Sequence, residues 1–589
     1  MSFQVSDQSG SSICALCKQD KRSIAITSIA TIEVYMVQVT AAAGCIFCAL
    51  IEDALASYDH GSLLANHRNE IFIGCGSPSR PGLYITKHPW VDIDRRNNAW
   101  SFPDFCLEIF SVENQAEPVW ECPWADEVGV ASIRRNRLHS CDTSSDAALQ
   151  TTISWIEECT TRHEKCNNAA PPFSPQRILM IEEPHVRLIQ NPPVAIRYAC
   201  LSHCWGDGPT LQLTNATLET LLHGVRMDEM PKTFREACEM CTKLGITYLW
   251  IDSLCINQDD LSDWTTVSGT IESIYANAYL TLAATASSDS NRGLHRRMPS
   301  QMASFPLSSH PGLFIRRRLP DFPSESTESD EISHPLLHRG WVLQERTLSA
   351  RVLHFTGHML VWECETITMS EDGSVNFNHS NPNHAHHGNS YTPFRRSGRL
   401  EDSAKTWRDQ VEHYSKLDLT YERDRLPAIS ALAKHMLTRR SVERPGEGDE
   451  YYAGLFKSSF LGDLAWVPRS MDDQLALCDT NTPPTPSWSW ASLRFEGVRR
   501  CDATFICDWR KDGRGGEHSS PGSPSSDQDP EEWSHREPFE LLKDSREDSS
   551  SYYMMQVVAD TMKQSITSPM STLTITAKPA SWLNPSVAA

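Results

Sequence analysis

The chain of 589 residues has 40% hydrophobic residues and 17 tryptophans, so it can build a sizeable core. Domains usually hold on the order of 100–200 residues, and we therefore expect two to four of them. The net charge of −21 at pH 7 argues against a general binder of nucleic acid or anionic membrane, because phosphate binding needs clustered Lys and Arg.

The N-terminal segment lacks the pattern of a secretory signal, since no basic stretch precedes an apolar one. The most apolar window, residues 34–51, is marginal in length for a membrane span, and Gln38 and Thr40 interrupt it, which favours a buried helix. The chain has 19 cysteines. In a chain that is not secreted, patterned cysteines indicate metal sites more often than disulfides, and we expect a cytoplasmic protein.

Residues 1–175 form a Cys-rich region that we expect to be mainly helical. The region contains two Cys-x-x-Cys pairs, Cys14 with Cys17 and Cys45 with Cys48. Four thiolates complete a tetrahedral zinc site, so this set is our candidate for bound zinc. The alternative is that Cys45 and Cys48 belong to a buried helix and act as small apolar side chains.

A second candidate metal site lies at the end of the same region, at Cys159, His163 and Cys166. Cys159 and His163 are four residues apart and therefore share one face of a helix. Three ligands leave a tetrahedral zinc site incomplete, and Cys106 or Cys122 could supply the fourth.

Strand-like and helix-like segments alternate over residues 176–365, which predicts an α/β domain with a mostly parallel sheet. Short apolar runs bounded by turn residues predict the strands, and apolar residues at helical spacing predict the helices. The predicted strands are residues 195–202, 246–252 and 279–287, and the predicted helices are residues 231–245 and 263–278.

Polar and reactive side chains follow the first two predicted strands. Ser202 ends the first and is followed by His203 and Trp205, and Asp252 ends the second and is followed by Cys255. Loops at the carboxyl ends of parallel strands form the ligand crevice of such sheets, so these residues are candidate ligand contacts. The structural alternative is that Asp252 binds the backbone of its own turn. A cysteine hydrolase is less favoured, because it would need His203 to meet Cys255 across two loops.

The segment "RGWVLQERTLS", residues 339–349, places Trp341 and Glu345 four residues apart on one helical face. Glu345 is either the catalytic acid of a site or an ordinary carboxylate that pairs with a nearby arginine.

Composition sets the boundaries of the remaining regions. We expect a polar loop at 366–402, a helical and Trp-rich region at 403–509, a disordered acidic linker at 510–551 and a strand-like tail at 552–589.

Three sequence blocks, "YACLSHCWG", "YLWIDSLCINQDD" and "RGWVLQERTLS", resemble in this order the signature blocks of the fungal heterokaryon-incompatibility (HET) domain. The resemblance covers residues 196–350. It implies a role in non-self recognition, in which the domain is the effector that arrests or kills fused cells. Two further segments, "WIEECTTRHEKC" and "PSWSWAS", resemble less closely the segments that often flank this domain in fungal proteins, which also indicates a HET-domain protein.

The HET domain in turn resembles the Toll/interleukin-receptor (TIR) fold, a flavodoxin-like parallel sheet that associates with itself. Some TIR members cleave the nicotinamide–ribose bond of NAD, with a catalytic glutamate four positions after a tryptophan. This resemblance implies that Glu345 is catalytic. It also implies that NAD would be a substrate rather than a cofactor. The implied substrate-binding residues are Ser202, His203, Trp205, Asp252, Cys255 and Trp341.

Two functions from different classes therefore stay open. The domain is either an NAD glycohydrolase-like enzyme or a non-enzymatic signalling module that associates with itself or with another protein. In the second case Glu345 is structural. For both functions we expect a TIR/flavodoxin-like, mostly parallel sheet in the central domain and a mixed C-terminal region, with no nucleic acid and no membrane as partner.

Overall fold

The computed structural model describes residues 28–58, 70–77, 80–86, 91–94, 99–101, 106–112, 133, 135–167, 172–206, 208, 210–319, 322, 334–378, 403–443, 445–446, 448–468, 489–492 and 503–505. These residues fall into two compact units, the first drawn from residues 1–338 and 345–398 and the second from residues 339–344 and 399–589. Within the described ranges, no helix is both long enough and apolar enough to cross a membrane. Of the predicted polar loop at 366–402, residues 379–402 lie outside them, as does the acidic linker at 510–551; the described part of that loop includes two strands, Ile367–Ser370 and Asn376–Asn378.

The helices of the described residues are numbered in chain order. They are α1 (Val34–Ala42), α2 (Ile46–Ser57), α3 (Asp146–Arg162), α4 (Leu218–His223), α5 (Lys232–Lys243), α6 (Asp252–Cys255), α7 (Leu261–Ser268), α8 (Ile271–Ala276), α9 (Gly340–Leu348), α10 (Ser403–Ser415), α11 (Pro427–Glu443) and α12 (Phe460–Asp463).

The strands are numbered in the same way. They are β1 (Ser28–Glu33), β2 (Glu70–Ser77), β3 (Arg80–Thr86), β4 (Val91–Asp94), β5 (Ala99–Ser101), β6 (Cys106–Val112), β7 (Arg135–Asn136), β8 (Arg177–Glu182), β9 (His185–Gln190), β10 (Tyr198–Ser202), β11 (Val225–Arg226), β12 (Tyr248–Ile251), β13 (Leu280–Ala283), β14 (Phe305–Pro306), β15 (Leu313–Arg317), β16 (Arg351–Phe355), β17 (Leu360–Cys364), β18 (Ile367–Ser370), β19 (Asn376–Asn378), β20 (Tyr451–Tyr452), β21 (Leu455–Phe456), β22 (Trp466–Pro468) and β23 (Ala503–Phe505).

The N-terminal part of the first unit is built on a sheet rather than mainly on helices. Its strands run in the order β1-β2-β3-β6-β15-β14, all antiparallel, and β7 adds to β6 in parallel. Helices α1 and α2 share one buried apolar cluster with this sheet. Our expectation of a mainly helical region is therefore not confirmed, because the described residues combine this sheet with three helices. The strands pair across distant parts of the chain, which local periodicity does not reveal.

The central sheet has the strand order β11-β9-β8-β12-β10-β13-β16-β17-β18-β19. Its four middle strands, β12, β10, β13 and β16, are mutually parallel, and the flanking pairs are antiparallel. The α/β prediction is confirmed, but the sheet is mixed rather than mostly parallel. The reason is visible at β16 and β17, because the turn between Phe355 and Leu360 is too short for a parallel crossover.

The predicted elements of the central region occur with small shifts of their ends. The three predicted strands are β10, β12 and β13, and every residue of β10 and β13 is buried. Helix α5 ends at Lys243, and Gly245 adopts a positive φ of 67° just beyond it, in the C′ position that glycine commonly takes after a helix. The helix predicted over 263–278 is split into α7 and α8 around Gly269, a residue of low helix propensity.

The second unit packs aromatic side chains around one glycine. The indole N–H groups of Trp407 and Trp490 both donate to the carbonyl of Gly454, at 2.8 and 3.2 Å. Gly454 has φ +104°, and a Cβ there would lie 2.5 Å from the indole nitrogen of Trp490. Only glycine fits both the conformation and the space.

Candidate functional site

The site lies where the parallel strands of the central sheet end. β10 lies between β12 and β13 in the sheet. The chain passes from β10 to its neighbour β12 on one side, and then to its neighbour β13 on the other side. Such a reversal is a topological switch point, and the crevice outside the strand ends is the usual ligand position. Ser202 is the last residue of β10, and Asp252 directly follows Ile251, the partner of Leu201.

Glu345 reaches this edge of the sheet from helix α9. The Ser202 hydroxyl donates to a Glu345 carboxylate oxygen at 2.5 Å, although the two residues are 143 positions apart in the chain. Ser202 is buried and Glu345 is half-buried. A hydrogen bond to a carboxylate is roughly twice as strong as one between neutral groups, so this contact holds the two elements together.

Tyr275 of helix α8 is a third member of this group, and sequence reasoning treated it only as a core residue. Burial raises the pKa of Tyr275 well above its usual value, and the nearby Glu345 carboxylate raises it further through its charge and a hydrogen bond. The phenol therefore stays protonated and can donate to the carboxylate. Tyr275 lies within the predicted helix 263–278, but the helical spacing of apolar residues does not reveal which side chain its phenol meets.

Asp252 organises the loop after β10. One carboxylate oxygen accepts from the indole N–H of Trp205 at 2.9 Å, and the other accepts from the backbone N–H of Ser253 at 2.7 Å. The second oxygen also lies 3.6 Å from Nδ1 of His203, whose side chain is 1% exposed. The predicted residues Ser202, His203, Trp205 and Asp252 thus occupy neighbouring strand ends, and the turn interaction expected of Asp252 is present as well.

Gly206 allows the tight turn that carries these side chains. Its φ is +79°, and a Cβ there would lie 2.4 Å from Cβ of Asp289. The backbone carbonyl of Trp205 accepts from the hydroxyl of Ser290 in the same loop contact, at 3.3 Å. The sequence Trp205-Gly206 therefore combines a hydrogen-bonded indole with the one residue type that the turn accommodates.

Cys255 is fully buried, and burial raises its pKa to about 12. A thiol with this pKa remains protonated at neutral pH and is a poor nucleophile, which agrees with our preference against a cysteine hydrolase. Cys255 lines a cavity of about 400 Å³ together with residues that include Arg177, Trp250 and Ile274. Ser202, His203, Asp252 and Glu345 do not line that cavity.

Trp341 and the arginines near Glu345 have specific partners. The indole N–H of Trp341 donates to Asp424 of the second unit at 3.1 Å. Arg346 donates to Glu363 at 2.6 Å. The Arg351 guanidinium donates to the carbonyl of Cys166 at 3.0 Å. Trp341, in the first turn of α9, belongs with Asp424 to the second unit, whereas Glu345 belongs to the first unit and contributes to the group around Ser202.

A separate cluster could hold a metal ion. One ligand atom from each of Cys159, His163, Cys166 and Cys364 lies within 4.8 Å of the others. Three of these residues were predicted, and among the described residues the fourth member of the cluster is Cys364 rather than Cys106; Cys122 lies outside the described residues. Cys364 ends strand β17, 201 positions from His163, so only the fold brings it to the helix.

The four-thiolate set proposed near the N-terminus is not assembled by the described residues. Cys14 and Cys17 lie outside them. Cys45 precedes helix α2 and Cys48 lies within it, and both are buried in the apolar cluster of the first sheet. Burial alone is compatible with the alternative interpretation, in which cysteine acts as a small apolar side chain. The four-thiolate set stays a prediction, because two of its members lie outside the described residues.

Comparison with known proteins identifies the central region. A family model described as "Heterokaryon incompatibility protein (HET)" matches residues 198–345, which is about a quarter of the chain. No curated protein and no solved structure gives a significant match. The matched segment begins at the first residue of β10 and ends at Glu345, so it spans both partners of the Ser202–Glu345 hydrogen bond. The chain therefore contains a heterokaryon incompatibility (HET) domain, as the three sequence blocks indicated.

Proposed function

We propose that this protein is a cytoplasmic effector of fungal non-self recognition, which arrests or kills fused cells by cleaving the nicotinamide–ribose bond of NAD. The HET domain indicates the role in heterokaryon incompatibility. The observation that carries the enzymatic part is the position of Glu345, whose carboxylate lies 2.5 Å from Ser202 at the carboxyl end of a central parallel strand.

The strand order supports a TIR-like, flavodoxin-like core. If β10, β12, β13 and β16 are numbered one to four along the chain, their order in the sheet is two-one-three-four. Flavodoxin-like sheets have this order, and their ligand lies at the switch point beside strand one. Ser202 and Asp252 flank that point.

The proposed reaction needs one carboxylate and a site shielded from bulk water. The bond between C1′ of the ribose and the nicotinamide nitrogen breaks, and its electron pair leaves with nicotinamide. The Glu345 carboxylate stabilises the oxocarbenium-like ribose. It then accepts the proton of the water that adds to C1′. In this proposal Asp252, which is half-buried and accepts from the indole of Trp205, also accepts hydrogen bonds from ribose hydroxyls.

Without substrate, the Glu345 carboxylate accepts a hydrogen bond from the Ser202 hydroxyl. A substrate hydroxyl that takes the place of Ser202 would leave the number of hydrogen bonds to the carboxylate unchanged. Substrate entry would then require only a rotation of the serine side chain about χ1. In this proposal Ser202 holds the acid in position between turnovers.

The test is the release of nicotinamide from NAD by the purified full chain, with Glu345→Gln as the decisive variant. Loss of one positioned catalytic acid or base lowers rates by about 100-fold or more, and we expect such a loss here. Glu239→Gln is the matched control, because Glu239 is a surface carboxylate of the same domain, paired with Arg235 at 3.7 Å. Equal rates for wild type and Glu345→Gln would exclude the mechanism.

The second candidate function is a self-associating signalling module, or one that binds another protein. The same hydrogen bond favours it, since Glu345 then joins α9 to β10 as a structural contact. The two functions are separated by expressing the chain in fungal cells. NAD depletion that precedes death and is absent with Glu345→Gln supports the enzyme. Death with unchanged NAD, together with concentration-dependent oligomers in light scattering, supports the module.

A further inference from the structure

The cluster of Cys159, His163, Cys166 and Cys364 joins a helix to the central sheet. Cys159 lies in the last turn of α3, His163 directly follows the helix, and Cys166 lies in the 3-10 helix Glu164–Asn167. Cys364 is the last residue of β17. Three of the four side chains are at most 4% exposed, and His163 is half-buried.

The spacing of the ligand atoms fits a tetrahedral zinc ion. Zn–S bonds of about 2.3 Å and Zn–N bonds of about 2.0 Å place tetrahedral ligand atoms roughly 3.4–3.8 Å apart. Sγ of Cys364 lies 3.5 Å from Nδ1 of His163, and all four ligand atoms lie within 4.8 Å of one another. The three thiols are reduced in the described structure, so no disulfide explains why they converge.

Outer contacts hold the ligand loop in this shape. The side-chain amide of Asn167 donates to the carbonyls of Cys159, Thr160 and His163, at 3.2, 2.9 and 3.1 Å. Arg351 donates to the carbonyl of Cys166 at 3.0 Å and to the side-chain oxygen of Asn167. Hydrogen bonds of this kind orient the ligands of metal sites.

The charges are consistent with zinc bound by three thiolates. Three thiolates, one neutral imidazole and Zn²⁺ carry a net charge of −1, and the buried guanidinium of Arg351 lies against the same loop. Thiolate and imidazole are ligands that select zinc over magnesium or calcium. Four protein ligands leave no open coordination position, which is typical of a structural rather than a catalytic site.

We propose that Cys159, His163, Cys166 and Cys364 bind one Zn²⁺ in a closed structural site that fastens α3 to β17. The two elements already pack through Trp155 and Trp362, whose ring centroids are 6.3 Å apart. The zinc site lies outside the segment matched by the HET family model, so the folded unit around the HET domain includes α3 on one side and β17 on the other.

The first measurement is the metal content of the full chain, expressed with zinc and analysed by mass spectrometry of the elements. We expect one zinc per chain in wild type and at least a tenfold lower content in Cys364→Ala. Cys238→Ala is the matched control, since Cys238 is equally buried on α5. A double variant Cys14→Ser/Cys17→Ser tests the N-terminal pairs separately, and it should keep the zinc.

A second measurement uses wild type alone, in case Cys364→Ala does not fold. Alkylation of the native chain, read by peptide mass spectrometry, should label Cys159, Cys166 and Cys364 only after a chelator removes the metal. Labelling of Cys238 should not respond to the chelator. Replacing zinc with Co²⁺ should give the absorption bands of tetrahedral thiolate coordination, and His163→Cys should keep the metal and strengthen the thiolate bands.

Three outcomes would overturn the proposal. Wild type purified without any bound metal is the first. Zinc that is lost only in the Cys14→Ser/Cys17→Ser variant would assign the metal to the N-terminal pairs instead. Labelling of the three cluster cysteines that is the same with and without chelator is the third.

Discussion

The most informative single contact is the hydrogen bond from Ser202 to Glu345. It joins the end of β10 to a helix more than a hundred residues later, at the switch point of the sheet. Sequence spacing placed both residues in a candidate site, because one follows a buried strand and the other follows Trp341 by one helical turn. Spacing could not show that the two side chains meet, since contact across 143 residues depends on the order of the strands.

A double-mutant cycle tests whether this contact stabilises the fold. We expect Ser202→Ala and Glu345→Gln to interact by about 1 kcal/mol or more in the free energy of unfolding, because the hydrogen bond involves a charged acceptor. The measurement is urea unfolding of wild type, both single variants and the double variant. Strictly additive effects would show that the hydrogen bond contributes nothing to stability.

Among the helices and strands, those around the parallel strands of the central sheet could be predicted from the sequence. β10, β12 and β13 are short apolar runs bounded by turn residues, and α5 ends at a glycine with positive φ. The antiparallel strands at 28–112 escaped prediction, since their pairing is set by distant parts of the chain. The fourth member of the candidate metal cluster escaped it for the same reason, because Cys364 meets Cys159 only after β17 joins the sheet.

Two glycines of the second unit, Gly454 and Gly446, separate the cost of backbone strain from the cost of a steric clash when alanine replaces glycine. Gly454→Ala puts a Cβ 2.5 Å from the Trp490 indole nitrogen at φ +104°, and we expect a loss of about 3 kcal/mol. Gly446 also has a positive φ, +89°, but a Cβ there meets nothing within 4 Å. Gly446→Ala should cost only about 1 kcal/mol. Thermal or urea unfolding of both variants measures the difference, and equal losses would refute the clash.

At the scale of the whole first unit, a buried ion cluster links its two large sheets. Arg316 of β15, which is fully buried, donates to Glu108 of β6 and lies 3.1 Å from Asp372, which follows β18. Its guanidinium also lies over the ring of Phe110, 4.4 Å from the centroid. Arg316→Met leaves two buried carboxylates without their counter-charge, and we expect a loss of about 3–5 kcal/mol.

Chemical unfolding of Arg316→Met measures this loss. Arg317→Met, on the neighbouring half-buried residue of the same strand, is the control and should cost much less. A loss of the same size in both variants would mean that the ion cluster does not hold the sheets together.

The same cluster predicts how stability changes with acid. Burial by itself raises the pKa of Asp372, but Arg316 and the hydrogen bonds from Ser370 and Ser374 outweigh it, so that the pKa lies below its usual value. A lowered folded-state pKa contributes stability above the unfolded value of about 3.9, and that contribution disappears as the pH falls through the folded pKa. Unfolding free energies measured from pH 7 downward should therefore fall less steeply in Asp372→Asn than in wild type. An unchanged slope would contradict this assignment.

The most direct test of the account is the rate at which the full chain releases nicotinamide from NAD, compared between wild type and Glu345→Gln at a temperature where unfolding curves show both chains to be folded. We expect a rate lower by about 100-fold or more, because the carboxylate at the end of β10 would no longer stabilise the reacting ribose. Release that continues at the wild-type rate would contradict the account.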